Sequence, residues 1–245
     1  MILEVDIGNT RTKWRIKGRE KVLCRGVQAT ESIISDFKID RKFEDGLTTA
    51  AISSVINTEI RDRFIRKLRT HYKIQSKIAV VSERVGLVEC GYKRVSELGV
   101  DRWLAILAGF QRGAGPTVVI DAGSALTVDF VDDSGKHKGG YIAPGISMMR
   151  DSLLKSTEGI SACATAIGDP RVPGSDTGEA VSKGCFLSAA SLIRYLIKDQ
   201  TSSLVLTGGD AELLLHYFTG APVYVEDLVL EGLSVTGVQF ETLSI

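Results

Sequence analysis

Cysteine is scarce in this chain of 245 residues: the four present, Cys24, Cys90, Cys163 and Cys185, lie far apart with no Cys-x-x-Cys pair. That argues against a disulfide framework and against a structural zinc site. The three histidines, His71, His137 and His216, are equally scattered and form no His-x-x-x-His pattern. An excess of one charge is missing too, since 30 basic residues meet 30 acidic ones. Nucleic-acid platforms carry a basic face or stripe, so the balance argues against that class of partner while leaving room for a local phosphate pocket. No apolar run approaches the roughly 18 residues that mark a membrane span. The opening run Met1–Ile7 holds Glu4 and Asp6 without a basic flank, so no secretory signal is expected and the cytoplasm is the expected compartment.

What the chain does have is an alternation of strand and helix patterns. Ile2–Ile7 reads as a strand stopped by Gly8 and Asn9, Thr12–Ile16 alternates polar and apolar, and Lys21–Cys24 resumes after a turn at Lys17 and Gly18. Thr48–Ser53 and Lys77–Ser82 read as buried strands. Between them Glu59–Tyr72 sets Ile60, Phe64, Ile65, Leu68 and Tyr72 on one helical face, with Asn57 or Thr58 as N-cap. A second helix starts near Asp101 and turns Leu104, Ile106, Leu107 and Phe110 inward. The Gly/Pro-rich break Gln111–Pro116 then marks a boundary between domains 1–112 and 113–245. Beyond it come strands at Thr117–Asp121, Leu126–Val131 and His137–Ala143, and a helix around Gly184–Lys198 burying Phe186, Leu192, Ile193, Leu196 and Ile197. A strand at Ser203–Leu206 leads to a helix from Ala211. Both halves are therefore α/β.

One pattern occurs twice. Asp6-Ile7-Gly8-Asn9-Thr10 and Asp121-Ala122-Gly123-Ser124-Ala125 each end a strand in Asp, turn on glycine and return as a strand, 115 residues apart (121 − 6). That spacing suits two duplicated domains rather than a solenoid. Glycine permits the tight turn and close approach of a ligand to backbone N–H groups, which form an anion-binding nest. The strand-end carboxylate offers a hard oxygen to a cation. A plain β-turn explains either copy alone; two matching copies point to phosphate binding. Thr207-Gly208-Gly209-Asp210 is a third glycine turn, readable as a strand-to-helix connection capped by Asp210. Asp101, following Gly99 and preceding an apolar run, reads both as an ordinary N-cap and as a carboxylate available for chemistry.

The three glycine loops resemble the phosphate 1, phosphate 2 and adenosine motifs of the superfamily of acetate and sugar kinases, heat-shock chaperones and actin. The ordered set is most similar to the type III pantothenate kinases. Asp6 to Lys13 resembles their opening motif, Gly99-Val100-Asp101-Arg102 their Gly-x-Asp-Arg element, and Asp121 to Thr127 with Gly139 to Gly145 their central block. Thr177 to Val181 resembles their threonine segment. Two departures are Ser124, where the family usually has Thr, and Ala122, where a larger aliphatic residue is common; Ser124 keeps the hydroxyl.

The resemblance implies two duplicated RNase H-like (actin-like ATPase) lobes with a nucleotide cleft between them. It implies ATP bound with Mg²⁺ by Asp6, Ile7, Gly8, Asn9, Thr10, Arg11, Thr12, Lys13 and Ser124. Pantothenate would meet Tyr92, Gly99, Val100, Asp101, Arg102 and Thr177, with Asp101 as general base and Arg102 on the substrate carboxylate. Asp121 would bind a monovalent cation, K⁺ or NH₄⁺, and the enzyme would be a homodimer. The alternatives are an ATP-binding regulatory accessory factor for gene expression, which needs no base, and a phosphohydrolase that delivers water instead of an alcohol.

Overall fold

The computed structural model describes residues 1–19, 21–44, 46–113, 115–160, 167–198, 202–215, 217–218 and 222–243; Cys163 and His216 lie outside these. The chain forms two compact units. The first comprises Met1–Gln111, Gly135–His137 and Asp227–Ile245, the second Arg112–Ser134 and Lys138–Glu226. Residues 227–245 therefore group with the first unit, not with the segment 113–226 that precedes them.

The first unit runs β1 (Ile2–Ile7), β2 (Arg11–Lys17), β3 (Val22–Ala29), α1 (Ile33–Asp36), α2 (Arg41–Glu44), β4 (Thr49–Ser54), α3 (Thr58–His71) and β5 (Gln75–Val80). A small hairpin, β6 (Arg84–Val85) and β7 (Val88–Glu89), precedes α4 (Val100–Arg112). Strand alternation decides the layers. Leu3, Val5 and Ile7 of β1 are fully buried in one core with Phe37, Phe64 and Leu68. On the opposite face Glu4 is also buried and meets its cross-strand partner Arg15 at 2.5 Å. β3 outruns its expected end because β2 pairs with it all the way to Ala29, and Gly26 leaves room for the Trp14 ring.

α3 starts where the pattern placed it, with Asn57 accepting a hydrogen bond from the Glu59 N–H. It ends on Lys73 in the left-handed region (φ 58°), with the Ile74 N–H returning to the Leu68 carbonyl. This closing geometry favours glycine. β5 follows directly at Gln75, two residues earlier than expected. Lys73→Gly should therefore raise stability by about 0.5–1 kcal/mol, because it removes the left-handed strain. An unchanged or lowered denaturation midpoint would show that the side chain contributes more than the strain costs.

The second unit runs β8 (Thr117–Ala122), β9 (Ala125–Val131), β10 (His137–Pro144), α5 (Ile146–Ser156), α6 (Thr177–Ile197), β11 (Ser203–Thr207), α7 (Ala211–Leu215) and β12 (Val223–Tyr224). Then α8 (Leu228–Gly232) and β13 (Gln239–Glu241) return to the first unit. The first sheet is ordered β13-β5-β4-β1-β2-β3 and the second β10-β9-β8-β11-β12. Setting β13 aside, both have one order, third-second-first-fourth-fifth. The first pairs antiparallel with the second and parallel with the fourth in each. The repeated motif thus begins two copies of one sheet, as expected of duplicated RNase H-like units.

α6 starts seven residues before the expected helix, because Asp176 caps it by accepting the Glu179 N–H at 2.8 Å. Glu179 in turn accepts the Ser175 N–H. That N–H first, then Lys183, holds the Glu179 carboxyl below its ordinary range. This contribution is present above the usual glutamate pKa and is lost as pH falls through the lowered one. By length and mean hydropathy α6 could cross a bilayer, although Glu179, Lys183 and Arg194 interrupt its apolar sequence. Its Cys185, Phe186, Ala189, Ala190 and Ile193 instead pack in the second core beside Val118, Ile120 and Val128.

Candidate active site

In the first unit Asp6 is the penultimate residue of β1, opposite Lys13 of β2. The turn between them is closed by the Gly8 N–H donating to the Arg11 carbonyl at 3.1 Å. Asn9, Thr10 and Arg11 are exposed. Ile7 and Thr12 are not: both are 0% exposed, so they shape the loop from below and Ile7 can reach a ligand only through its main chain. Thr12 has a partner that the sequence did not reveal. Thr30 donates its hydroxyl to the Gly8 carbonyl at 2.7 Å, so the 3.0 Å contact between Thr12 and Thr30 hydroxyls must have Thr12 as donor. The Thr30 N–H also donates to the Thr10 carbonyl. Thr30 thus ties down the whole turn from 18 to 22 residues away, a distance at which no local pattern announces it.

The same unit holds the Gly-x-Asp-Arg element. Asp101 is the second residue of α4, not the residue before it. The Gly99 carbonyl accepts the Trp103 N–H, and Asp101 Oδ1 accepts the Arg102 N–H at 2.7 Å. The carboxylate folds back so that a Cβ on Gly99 would lie 2.6 Å from Oδ1. Asp101 therefore satisfies one orphan donor of the first turn without being the cap residue. Arg102 is 6% exposed. Its Nη1 donates to the Tyr92 hydroxyl at 2.8 Å, and its guanidinium lies 5.5 Å from the Tyr92 ring centre. The structure thus brings Tyr92 and Arg102 together across ten residues.

In the second unit Asp121 faces Thr127 across the β8–β9 hairpin, and the Gly123 N–H donates to the Ala125 carbonyl at 3.1 Å. The turn is one residue tighter than its counterpart at Gly8. Ser124 is exposed on it. Two further glycines press against the same strand end. Gly145, just before α5, donates its N–H to the Ser124 carbonyl at 3.0 Å; a Cβ there would lie 2.1 Å from the Gly123 oxygen. Gly208 adopts φ +101°, and a Cβ there would lie 2.4 Å from the Ala122 carbonyl and 2.6 Å from Asp121 Oδ1. The Asp210 N–H donates to the Ala122 carbonyl at 2.9 Å. Three glycine turns far apart in sequence therefore meet at this strand end, Gly123 and Gly208 against Asp121 and Gly145 against the turn that follows it. Thr177 also belongs to this unit, exposed at the first residue of α6.

Among the described residues no three His, Cys, Asp or Glu side chains cluster as a metal site. A cation here would be held by single carboxylates together with ligand oxygens, the usual arrangement for Mg²⁺ on phosphates. A cavity of about 300 Å³ in the first unit, lined by Arg15, Lys17, Lys21, Gln111, Glu231 and Ser234 among others, includes none of the residues above. Two of its cations are engaged internally, Arg15 with Glu4 and Asp227, and Lys17 with Ser234.

The family model for type III pantothenate kinase matches residues 2–199. A type III pantothenate kinase of Ectopseudomonas mendocina is 34% identical over 252 aligned positions, covering 96% of this chain and 98% of that one. The enzyme of that name from Hahella chejuensis is 35% identical, covering 95% of each. Among solved structures, a Campylobacter jejuni protein described as a Baf-family transcriptional activator superposes with TM-score 0.61 at 24% identity over 95% of each chain. A Sinorhizobium meliloti protein described as a 2-dehydro-3-deoxygalactonokinase superposes with TM-score 0.56 at 15% identity, covering 96% and 97%. The structural likenesses establish a fold shared with sugar kinases. The full-length sequence likeness and the match over residues 2–199 establish the narrower point: this chain belongs to the type III pantothenate kinase family.

Proposed function

We propose that this protein transfers the γ-phosphoryl group of ATP to the primary alcohol of pantothenate, giving 4′-phosphopantothenate, the first step of coenzyme A synthesis. The observation that carries the reading is the acceptor element of the first unit. A carboxylate at the start of α4 is followed by a buried arginine anchored on Tyr92, a device that a hydrolase or a pure ATP-binding regulator does not need. The Campylobacter jejuni neighbour bears a regulator's name, but at 24% identity it speaks for the fold alone.

Asp101 accepts the hydroxyl proton while the alcohol oxygen bonds to γ-phosphorus and the bond to the β–γ bridging oxygen breaks. Its bond to the Arg102 N–H uses one of about four lone-pair positions on the carboxylate. Arg102 takes the pantothenate carboxylate, for which its planar fork is suited; Gly99, Val100, Tyr92 and Thr177 frame the rest. Asp6, the Gly8 to Lys13 turn and Ser124 take the triphosphate. Asp6 provides a hard oxygen beside the cations Arg11 and Lys13, which fits Mg²⁺ carried on ATP. Asp121 lies in a cradle of Gly123 and Gly208 that any larger side chain would fill, which fits a monovalent cation, K⁺ or NH₄⁺. Such an ion would supply charge neutralisation.

The enzyme acts as a homodimer in the cytoplasm. The second unit exposes Tyr141, Ile142, Met148 and Leu153 along β10 and α5, an apolar surface of the kind that partners cover. The described cysteines, Cys24, Cys90 and Cys185, are in the thiol form, as a reducing compartment allows.

A coupled assay tests the reading. ADP release should require pantothenate and rise sharply when K⁺ or NH₄⁺ replaces Na⁺. Equal ATP turnover without pantothenate would support the hydrolase instead, and indifference to every monovalent cation would remove the role of Asp121. A monomeric active species in sedimentation would remove the dimer.

A further inference from the structure

His137 carries no motif, yet the fold takes trouble to place it. Gly135 adopts φ +86°, and a Cβ there would lie 2.4 Å from the Leu87 carbonyl oxygen. The Glu89 N–H donates to the Gly135 carbonyl at 3.0 Å, and Lys136 bridges to Glu89 in parallel sense. The short segment Gly135–His137 is thereby pinned to the β6–β7 hairpin and delivers His137 with 0% exposure. There Nδ1 accepts the Gly91 N–H at 3.4 Å, which puts the proton of the neutral ring on Nε2. The imidazole stacks on the Tyr92 ring, centroids 5.8 Å apart and planes 14° from parallel. Tyr92 in turn accepts from Arg102 Nη1 at 2.8 Å.

We infer that His137 is a positioning residue for Arg102, acting through the stacked ring of Tyr92. The inference rests on the pantothenate reading above, in which Arg102 takes the substrate carboxylate. A tyrosine ring held on one face by a fixed imidazole keeps its hydroxyl in one place. That hydroxyl sets the plane of the guanidinium fork, and a bidentate contact tolerates little rotation of the plane. The effect is confined to carboxylate recognition, because neither His137 nor Tyr92 belongs to the phosphate loops.

Steady-state kinetics of the full-length enzyme separate this role from a merely structural one. His137→Asn, which retains an acceptor for the Gly91 N–H but no ring, should raise the KM for pantothenate about tenfold while the KM for ATP stays within about twofold. Tyr92→Phe, which keeps the ring but loses the hydroxyl, should do the same. His137→Phe restores a flat ring at the cost of the long bond from the Gly91 N–H, so pantothenate KM should return to within about threefold of the parent. Pantothenyl alcohol, which has no carboxylate, should be handled alike by parent and His137→Asn. Equal rises in both KM values, an unchanged pantothenate KM in His137→Asn or Tyr92→Phe, or a parent-to-variant difference as large with pantothenyl alcohol would overturn the inference. If His137→Asn does not fold, His137→Gln, which also keeps an acceptor and loses the ring, takes its place with the same expected and overturning results. A parent enzyme inert toward pantothenate would instead sink the underlying reading, an outcome visible before any variant is compared.

Discussion

Asp101→Asn should fold and bind ATP normally yet turn over about 10²–10⁴-fold more slowly, the usual cost of losing a general base. The geometry makes this substitution discriminating. Asp101 accepts the Arg102 N–H at 2.7 Å through Oδ1, and an asparagine Oδ1 accepts the same bond. Losing a negative charge from the first turn of α4 costs about 0.3–1 kcal/mol at most. That is too little to unfold the unit and too little to explain a hundredfold loss of rate. A purely structural Asp101 therefore predicts near-normal kcat in the asparagine variant, whereas a base predicts collapse of kcat with the denaturation midpoint almost unmoved. Turnover within a few-fold of the parent would remove Asp101 from the mechanism. Asp101→Ala makes a useful companion, since it abolishes the hydrogen bond as well and should lose stability in addition to rate.

Local chemistry explains what the sequence disclosed. The two Asp-x-Gly hairpins were legible because strand, carboxylate and glycine turn lie within ten residues, and their recurrence matches the shared strand order of the two sheets. α3 was legible because its cap and its buried face are both local. The start of α6 was legible too, in the spacing of Asp176 and Glu179, but the apolar period further along drew the boundary seven residues late. α5 offers no such sign: it follows Gly145, which has no side chain to cap with, and most of its residues are exposed. Phe110 was expected inside, but Trp103 through Ala108 are buried on every side of α4 and leave it half-exposed. Within the site, the residues proposed to meet a ligand stood in motifs, Tyr92 apart, while most of those packed against them did not. Thr30 and His137 act through contacts that exist only once distant segments fold together, and so does Gly145, which closed the central block without showing that its N–H returns to Ser124. The return of β13 to β5 at the far edge of the first sheet is of the same kind.

Gly208→Ala should damage the second unit more than any other single methyl group considered above, because two independent penalties coincide. At φ +101° an alanine is strained, which costs about 1–3 kcal/mol. Its Cβ would also sit 2.4 Å from the Ala122 carbonyl carbon and oxygen. That contact is with backbone at the end of a central strand, so it can be relieved only by moving the turn away, at about 1–3 kcal/mol more. Moving the turn breaks the bond from the Asp210 N–H to the Ala122 carbonyl and opens the cradle around Asp121. We therefore expect a loss of about 2–5 kcal/mol in stability together with a marked rise in the KM for ATP and a weakened response to monovalent cations. Gly184 supplies the control. It is exposed within α6, and a Cβ there meets nothing within 4 Å, so Gly184→Ala should stabilise by about 0.5–1 kcal/mol through helix propensity alone. Opposite signs for the same chemical change, read as denaturation midpoints, would tie the Gly208 effect to its geometry. A Gly208→Ala protein as stable as the parent and equally responsive to K⁺ would mean that this turn does not press on β8, and the cradle assigned to Asp121 would go with it.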